Sequence, residues 1–242
     1  MNFKSLVKES LGAIYYYTFK KFQALKGNRS LIYHAFGIKL AHDTYGISIN
    51  IKKFKEHIKY LVDNYKIIPA TNYSIDECNT VSITIDDGYK DTLNAIEVLD
   101  YYSIPSTIFI TSNFINKENY LTENDLYEIS KSNLFSIGTH GVSHKKLGKL
   151  SAQEQNRELQ ESKLRIEQIL NKKIETTSYP HGSYNKDTFY ILKKLGYKHA
   201  FSSIKGLNNM LTNNYLLRRS EIISTDKVND LEKKIKGFYD FY

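Results

Sequence analysis

The sequence predicts an α/β fold: a distorted (β/α) barrel of about seven or eight parallel strands, TIM-barrel-like in plan. Three observations predict it. From residue 30 onward, short β-branched or aromatic runs alternate with helical patterns. About eight such runs fit within roughly 210 residues, which suits a compact barrel. Neither a G-x-G-x-x-G turn nor a phosphate-binding P-loop supports the runner-up, a doubly wound open sheet.

Residues 31–33 read as the first strand, and the helix over roughly 50–64 that follows can be capped by Ser48 or Asn50. Next come a short apolar run at 66–68 before Pro69, a strand at 81–85, and a helix over about 90–101 whose Leu93, Ile96 and Leu99 share one face. A strand at 106–110 is followed by a helix near 122–131 and a strand at 134–137. Ser151 and Glu154 have capping-box spacing, each side chain able to bond the other's backbone N–H, and they open a helix running to about 170. A strand at 174–179 and a helix over 186–195 that stops at Gly196 come next. Strands near 198–202 and 216–222 and a last helix at about 226–238 complete the pattern.

Of the 242 residues, 41% are hydrophobic and 25% charged, and no apolar run approaches the roughly 18 residues of a membrane span. Disorder and integral membrane topology are poor readings. The formal net charge of +8 is mostly lysine, without an arginine-rich cluster or zinc-finger pattern, which argues against a nucleic-acid partner. Cys78 is the single cysteine, so an intrachain disulfide and a cysteine-built metal site are both ruled out. Any metal must sit on histidine and carboxylate.

Residues 1–27 read as a basic amphipathic helix ahead of a single domain over 28–242. Lys4, Lys8, Lys20, Lys21 and Lys26 face only Glu9, and Phe3, Val7, Leu11, Ile14, Tyr15 and Phe22 fall near helical spacing. Two readings stand: a helix packed on the domain, or one lying on an anionic membrane surface. The stretch 11–19 is broken by polar aromatics and followed by Lys20-Lys21 instead of a small-residue cleavage site, so it does not read as a signal peptide. The expected location is cytoplasmic, and on the second reading it is peripheral at the inner membrane.

Active sites of such barrels are built at the C-terminal strand ends. Here those ends carry His34, then Asp86-Asp87-Gly88, then Gly138-Thr139-His140-Gly141-Val142-Ser143-His144, then Tyr179-Pro180-His181-Gly182, and finally Arg218, Arg219 and Glu221. His140 and His144 can meet one metal, and an Asp from another strand would complete a His₂-carboxylate set with a position left for water, as in catalytic zinc sites. Adjacent aspartates repel unless a cation or hydrogen bonds offset the cost, so one of the pair is expected on metal and the other free as a base.

These motifs resemble those of the polysaccharide deacetylases, carbohydrate esterase family 4 or the NodB-homology family. Thr84-Ile85-Asp86-Asp87-Gly88-Tyr89 is similar to its T-F-D-D-G motif and Thr139-His140-Gly141-Val142-Ser143-His144 to its H-[ST]-x-x-H motif, with Gly141 in the Ser/Thr place. The resemblance extends over about residues 28–225 and implies that Asp87, His140 and His144 hold a divalent metal, most often zinc, with Asp86 as general base. Ser178-Tyr179-Pro180-His181 falls on the R-x-P-Y motif, which would make the His181 backbone N–H an oxyanion donor. Ser178 stands where that motif has Arg, and no L-x-H motif appears near the C-terminus.

A circularly permuted subgroup, the exopolysaccharide de-N-acetylases, instead has Y-H near the N-terminus and Y-P-x-G. Tyr33-His34 and Tyr179-Pro180-His181-Gly182 are similar to both. On that resemblance His34 protonates the leaving amine, with His181 the competing acid, and Arg218 or Arg219 stands in for the missing Arg. Tyr89, Tyr179, Pro180 and Gly182 would contact substrate, while His199 reads as structural. The activity implied is metal-dependent removal of N-acetyl groups from N-acetylhexosamine units of a surface polysaccharide or its precursor. An O-deacetylase and an inactive carbohydrate-binding relative are the alternatives.

Overall fold

The computed structural model describes residues 3–20, 26–41, 43–72 and 79–241, so Phe22, Lys21 and Cys78 lie outside it. In chain order the elements are α1 (Phe3–Tyr15) with a π-helical turn (Tyr16–Lys20), β1 (Asn28–Tyr33), α2 (Ile51–Asn64), β2 (Lys66–Ile67), β3 (Thr80–Ile85), α3 (Thr92–Tyr101) and β4 (Ser106–Ile110). They continue as α4 (Glu123–Ile129), β5 (Phe135–Thr139), α5 (Ala152–Leu170), β6 (Thr176–Ser178), α6 (Lys186–Lys194), β7 (His199–Phe201), β8 (Arg219–Glu221) and α7 (Val228–Lys236).

The strands pair in parallel in the order β7-β6-β5-β4-β3-β1-β8. A parallel bridge between Phe201 and Leu217 draws the two ends together, with the Ser202 N–H donating to Leu217 O at 2.8 Å. The result is the nearly closed barrel of seven parallel strands that the alternating pattern predicts. β2 stands off the ring, paired with the first residues of β3.

Every residue of β1 and β3 is buried, as expected of strands covered on both faces. Leu31, Tyr33, Val81, Ile83 and Ile85 belong to the main core beneath the helices. The alternate residues turn to the barrel axis and satisfy one another: Ser30 and Ser82 hydroxyls lie 2.5 Å apart, and Ser82 donates to Asn28 Oδ1 at 2.9 Å. A small apolar cluster of Ala70, Phe109, Phe201 and Leu217 completes the filling. Gly138 makes room for it, because a Cβ there would stand 2.6 Å from the Phe109 ring.

Local signals account for the helix ends. Asn50, not Ser48, caps α2 by accepting from the Lys52 N–H at 2.8 Å; the Ser48 hydroxyl is instead committed to Ile38 O at 2.6 Å. Ser151 and Glu154 form the expected capping box at the start of α5. No helix among the described residues is long and apolar enough to cross a membrane.

Candidate active site

β3 ends at Ile85, and the next two residues diverge. Asp86 continues the ladder, its N–H donating to Tyr33 O at 2.9 Å, so its side chain follows Ser82 and Thr84 toward the axis. Asp87 enters the left-handed region at φ 74°. This turn brings two adjacent carboxylates into one cavity of about 190 Å³, also lined by His34, His140, His144 and His181.

His140 follows β5 directly, and the chain returns through Gly141, at φ 73°, to His144 at φ 58°. His181 is left-handed as well, at φ 55°. Such a conformation costs a non-glycine residue on the order of 1 kcal/mol or more, and its concentration here marks a place where geometry has been bought with backbone strain.

Asp87 Oδ1 lies 3.4 Å from His140 Nε2 and 3.2 Å from His144 Nε2, and one donor atom from each residue falls within 4.8 Å of the others. The oxygen is buried and receives no well-directed hydrogen bond. His140 Nδ1 faces the Ser178 carbonyl at 2.9 Å and the Ser178 hydroxyl at 2.5 Å. A proton on Nδ1 therefore donates to the carbonyl and leaves the Nε2 lone pair turned toward Asp87. An orphaned carboxylate oxygen opposed by two imidazole nitrogens, one with its tautomer set from behind, fits a divalent cation.

The ionisation states agree. Burial pulls His140 down to about 4, with His144 adding to the effect and Asp86 and Asp87 opposing it, so the ring is neutral as a ligand must be. Burial opposes ionisation of Asp87, but His144, His34 and His140 outweigh it and hold the carboxyl below the ordinary range. Asp86 is likewise lowered against burial, chiefly by Arg219 and then His140.

Asp86 is gripped by Arg219 through two parallel bonds, Nη1 to Oδ1 at 2.7 Å and Nη2 to Oδ2 at 2.8 Å. Arg219 is held in turn by Ser202 O and Thr84 Oγ1, each at 3.0 Å, and its guanidinium lies over the rings of Phe109 and Phe201. One carboxylate thus converges on two imidazoles while its neighbour is fixed by a guanidinium, a division of labour between adjacent residues.

A family model described as polysaccharide deacetylase matches residues 74–200, just over half of the chain. The chain belongs to the polysaccharide deacetylase family. YxkH of Bacillus subtilis, a polysaccharide deacetylase by name, is 30% identical over 182 residues, which are 71% of this chain and 64% of that protein. A poly-β-1,6-N-acetyl-D-glucosamine N-deacetylase of Staphylococcus aureus is 29% identical over 176 residues, 66% of this chain and 60% of that protein. The chain spans less than two thirds of the length of these two relatives. Among solved structures, the Streptococcus pyogenes deacetylase PplD superposes with a TM-score of 0.76 at 22% identity, covering 86% of this chain and 98% of that one. IcaB from Ammonifex degensii gives 0.74 at 16% identity, covering 87% and 97%. Both share this deacetylase fold.

The other expected residues distribute around this deacetylase core. His34 lines the cavity with Nε2 4.0 Å from Glu221 Oε1, and its Nδ1 is buried without a hydrogen-bond partner. The His181 ring lies 4.5 Å from that of His144 at the mouth. Of the two candidate arginines, Arg219 reaches Asp86, whereas Arg218 turns away to Lys205 O at 3.2 Å. Tyr179 forms cavity wall while its hydroxyl is committed to Tyr215 O at 2.7 Å. Pro180 and Gly182 shape the turn that carries His181, Gly182 packing against Ser203. Tyr89 is buried behind the cavity, stacked on Tyr120 at 5.0 Å and close enough to Asp87 that the carboxylate, after burial itself, raises the phenol's pKa.

Three contributors lie outside the expected site residues. Ser178, read as a lost Arg, holds His140 from behind and donates to Asp86 Oδ2 at 3.3 Å. Glu158 of α5 accepts the Val142 and Ser143 N–H groups, each at 2.8 Å, together with the Ser143 hydroxyl, and so pins the loop between the two histidines. Gly141 sits close beside it in the left-handed region, and a Cβ there would stand 3.1 Å from Glu158 Oε2, so a larger residue would press on that carboxylate. Asp43 gathers the N–H groups of Tyr45, Gly46, Ile47 and Ser48 and places the exposed Tyr45 ring at the cavity rim; the D-x-x-G spacing of Asp43 and Gly46 was the available hint.

Proposed function

We propose that the chain is a divalent-metal-dependent hydrolase that removes N-acetyl groups from N-acetylhexosamine units of a surface polysaccharide or its precursor. The observation that carries it is the pairing of unlike neighbours: Asp87 with His140 and His144, Asp86 with Arg219. Family membership supports the reaction class, and the S. aureus relative's name suggests β-1,6-linked N-acetylglucosamine as the first polymer to try.

Asp87 Oδ1, His140 Nε2 and His144 Nε2 would hold the cation, zinc being the first choice for a His₂-carboxylate donor set. When bound, such a cation polarises the amide carbonyl and lowers the pKa of a water at the same place. Asp86, kept ionised and aimed by Arg219, would serve as the general base that accepts a proton from an attacking water. His34, which lines the same cavity, would give a proton to the amine as the C–N bond breaks, and the His181 backbone N–H would donate to the carbonyl oxygen as negative charge develops on it.

Elemental mass spectrometry on the wild type and His140→Ala tests the metal, with one ion per chain expected and lost in the variant. Release of acetate together with a new free amine from N-acetylated glycan oligomers tests the reaction; acetate without amine would mean an ester substrate. Asp86→Asn is expected to abolish turnover with metal retained. Full activity in that variant, or a wild type that takes up no divalent ion, overturns the reading.

A further inference from the structure

α1 is docked the wrong way round for a helix of a globular domain. Its inward face is built from Glu9, Gly12 and Tyr16: Glu9 pairs with Lys233 at 3.3 Å, Tyr16 stacks on Phe238 at 4.1 Å, and Gly12 sits so close that a Cβ would meet Phe238 O at 2.8 Å. At 100° per residue these three positions cluster on one side, and Val7, Leu11 and Ile14 fall on the opposite side. Those three aliphatic side chains are 40%, 49% and 62% exposed.

The charge around this stripe is one-sided. Glu9 is the single acid among residues 1–26, and its carboxylate is consumed inward by Lys233. Lys4 and Lys8 occupy helical positions beside the stripe, and Lys20, Lys21 and Lys26 follow in sequence. An aliphatic face in a segment of net positive charge matches an anionic lipid surface: the aliphatic side chains enter the acyl boundary and the segment's charge is drawn to the phosphates.

A second exposed apolar element lies at the same end of the barrel. Asn28, which opens β1, bridges to Asn208, and two residues further on Met210 and Leu211 are 65% and 87% exposed. Arg29 binds Asp240 and Ile235 O, so the C-terminal segment on which α1 rests is also at the start of β1. The site residues follow the opposite, C-terminal strand ends.

We infer that α1 is an interfacial helix that seats the end of the barrel away from the catalytic rim on an anionic bilayer through Val7, Leu11 and Ile14. Seated this way, the rim opens to the aqueous phase and meets glycan chains there. The inference does not depend on the catalytic assignments.

The test is flotation of the full chain with vesicles of phosphatidylglycerol and phosphatidylcholine, beside vesicles of phosphatidylcholine alone, for the wild type and the double variant Leu11→Glu/Ile14→Glu. Both positions are exposed, and an unchanged Tm and metal content will verify the fold. The wild type is expected to float with the anionic vesicles, less so at high salt, and the variant to lose at least about tenfold in partitioning. Undiminished flotation of the folded variant, or no flotation of the wild type, overturns the inference. So does a concentration-dependent dimer that the variant dissociates, which would make a second copy the occupant.

Discussion

Arg219 holds Asp86 by two parallel N–H···O bonds across 133 residues of chain, and both groups are almost wholly buried. The relationship explains how a chain with Ser178 in the motif's Arg position still fixes a carboxylate beside Asp87, His140 and His144: the guanidinium arrives from β8, two strands along the sheet from β3. Arg219→Met strands a buried charge, an imbalance that costs about 3–5 kcal/mol in comparable sites. Arg219→Lys restores charge but not the fork, and its deacetylation rate is expected to stay at least about tenfold below wild type. Thermal unfolding and initial rates on one glycan oligomer check both; a Lys variant with wild-type rate would mean that charge alone suffices.

His34 and His181 can be separated by leaving-group dependence. An amine must be protonated to leave, whereas an activated aryl alcohol need not be. If His34 supplies that proton, His34→Gln lowers amide hydrolysis by roughly 10²–10⁴ while cleavage of an aryl acetate falls far less and metal content is unchanged. The reverse pattern, with His181→Gln showing the amide-selective loss, transfers the role to His181.

Asp86, Asp87, His140 and His144 stand out in the sequence because they lie at or just beyond strand ends, where a barrel collects its chemistry, and the fold does bring the four into one cavity. Choosing between Arg218 and Arg219 was not possible from sequence, since successive strand residues face opposite ways and the sense depends on register. The Ser30–Arg219 pairing settles it. Glu158 was invisible for a different reason: a glutamate in an amphipathic helix reads as solvated, and its partners are backbone N–H groups of a loop, which leave no residue signature. Periodicity predicted a helix at the N-terminus but could not say which face would pack; Gly12, the residue that permits the close approach to Phe238, carries no hydrophobic signal at all.

Glu158→Ala tests the loop anchor. Alanine is the best helix former, so α5 itself is not weakened, and what the variant loses is the carboxylate that fixes Val142 and Ser143 between the two histidines. Removing such a support is expected to weaken metal binding by about 10–100-fold, measured by competition with a chromophoric chelator, with Glu158→Gln retaining part of the affinity. Unchanged affinity in the Ala variant would show that the loop holds its shape unaided.

His57 offers a pH dependence away from the site. It is fully buried on α2, with Nδ1 3.3 Å from the Tyr33 hydroxyl, and burial, reinforced by Lys53, holds its pKa below 6.5 against Asp226 and Glu56. In the unfolded chain the ring takes up a proton near pH 6.5, which the folded protein resists. Its contribution to stability is therefore complete above that pH and declines as the pH falls below it, by at most about 1.4 kcal/mol per pH unit. His140, His181 and His199 are lowered too and act in the same direction, whereas His144 is raised and acts against them. Metal-free protein is expected to lose Tm between about pH 7.5 and 5.5, and His57→Gln, though less stable at the higher pH, to lose less over that interval. Equal losses in the two proteins would place the acid sensitivity on the site histidines alone.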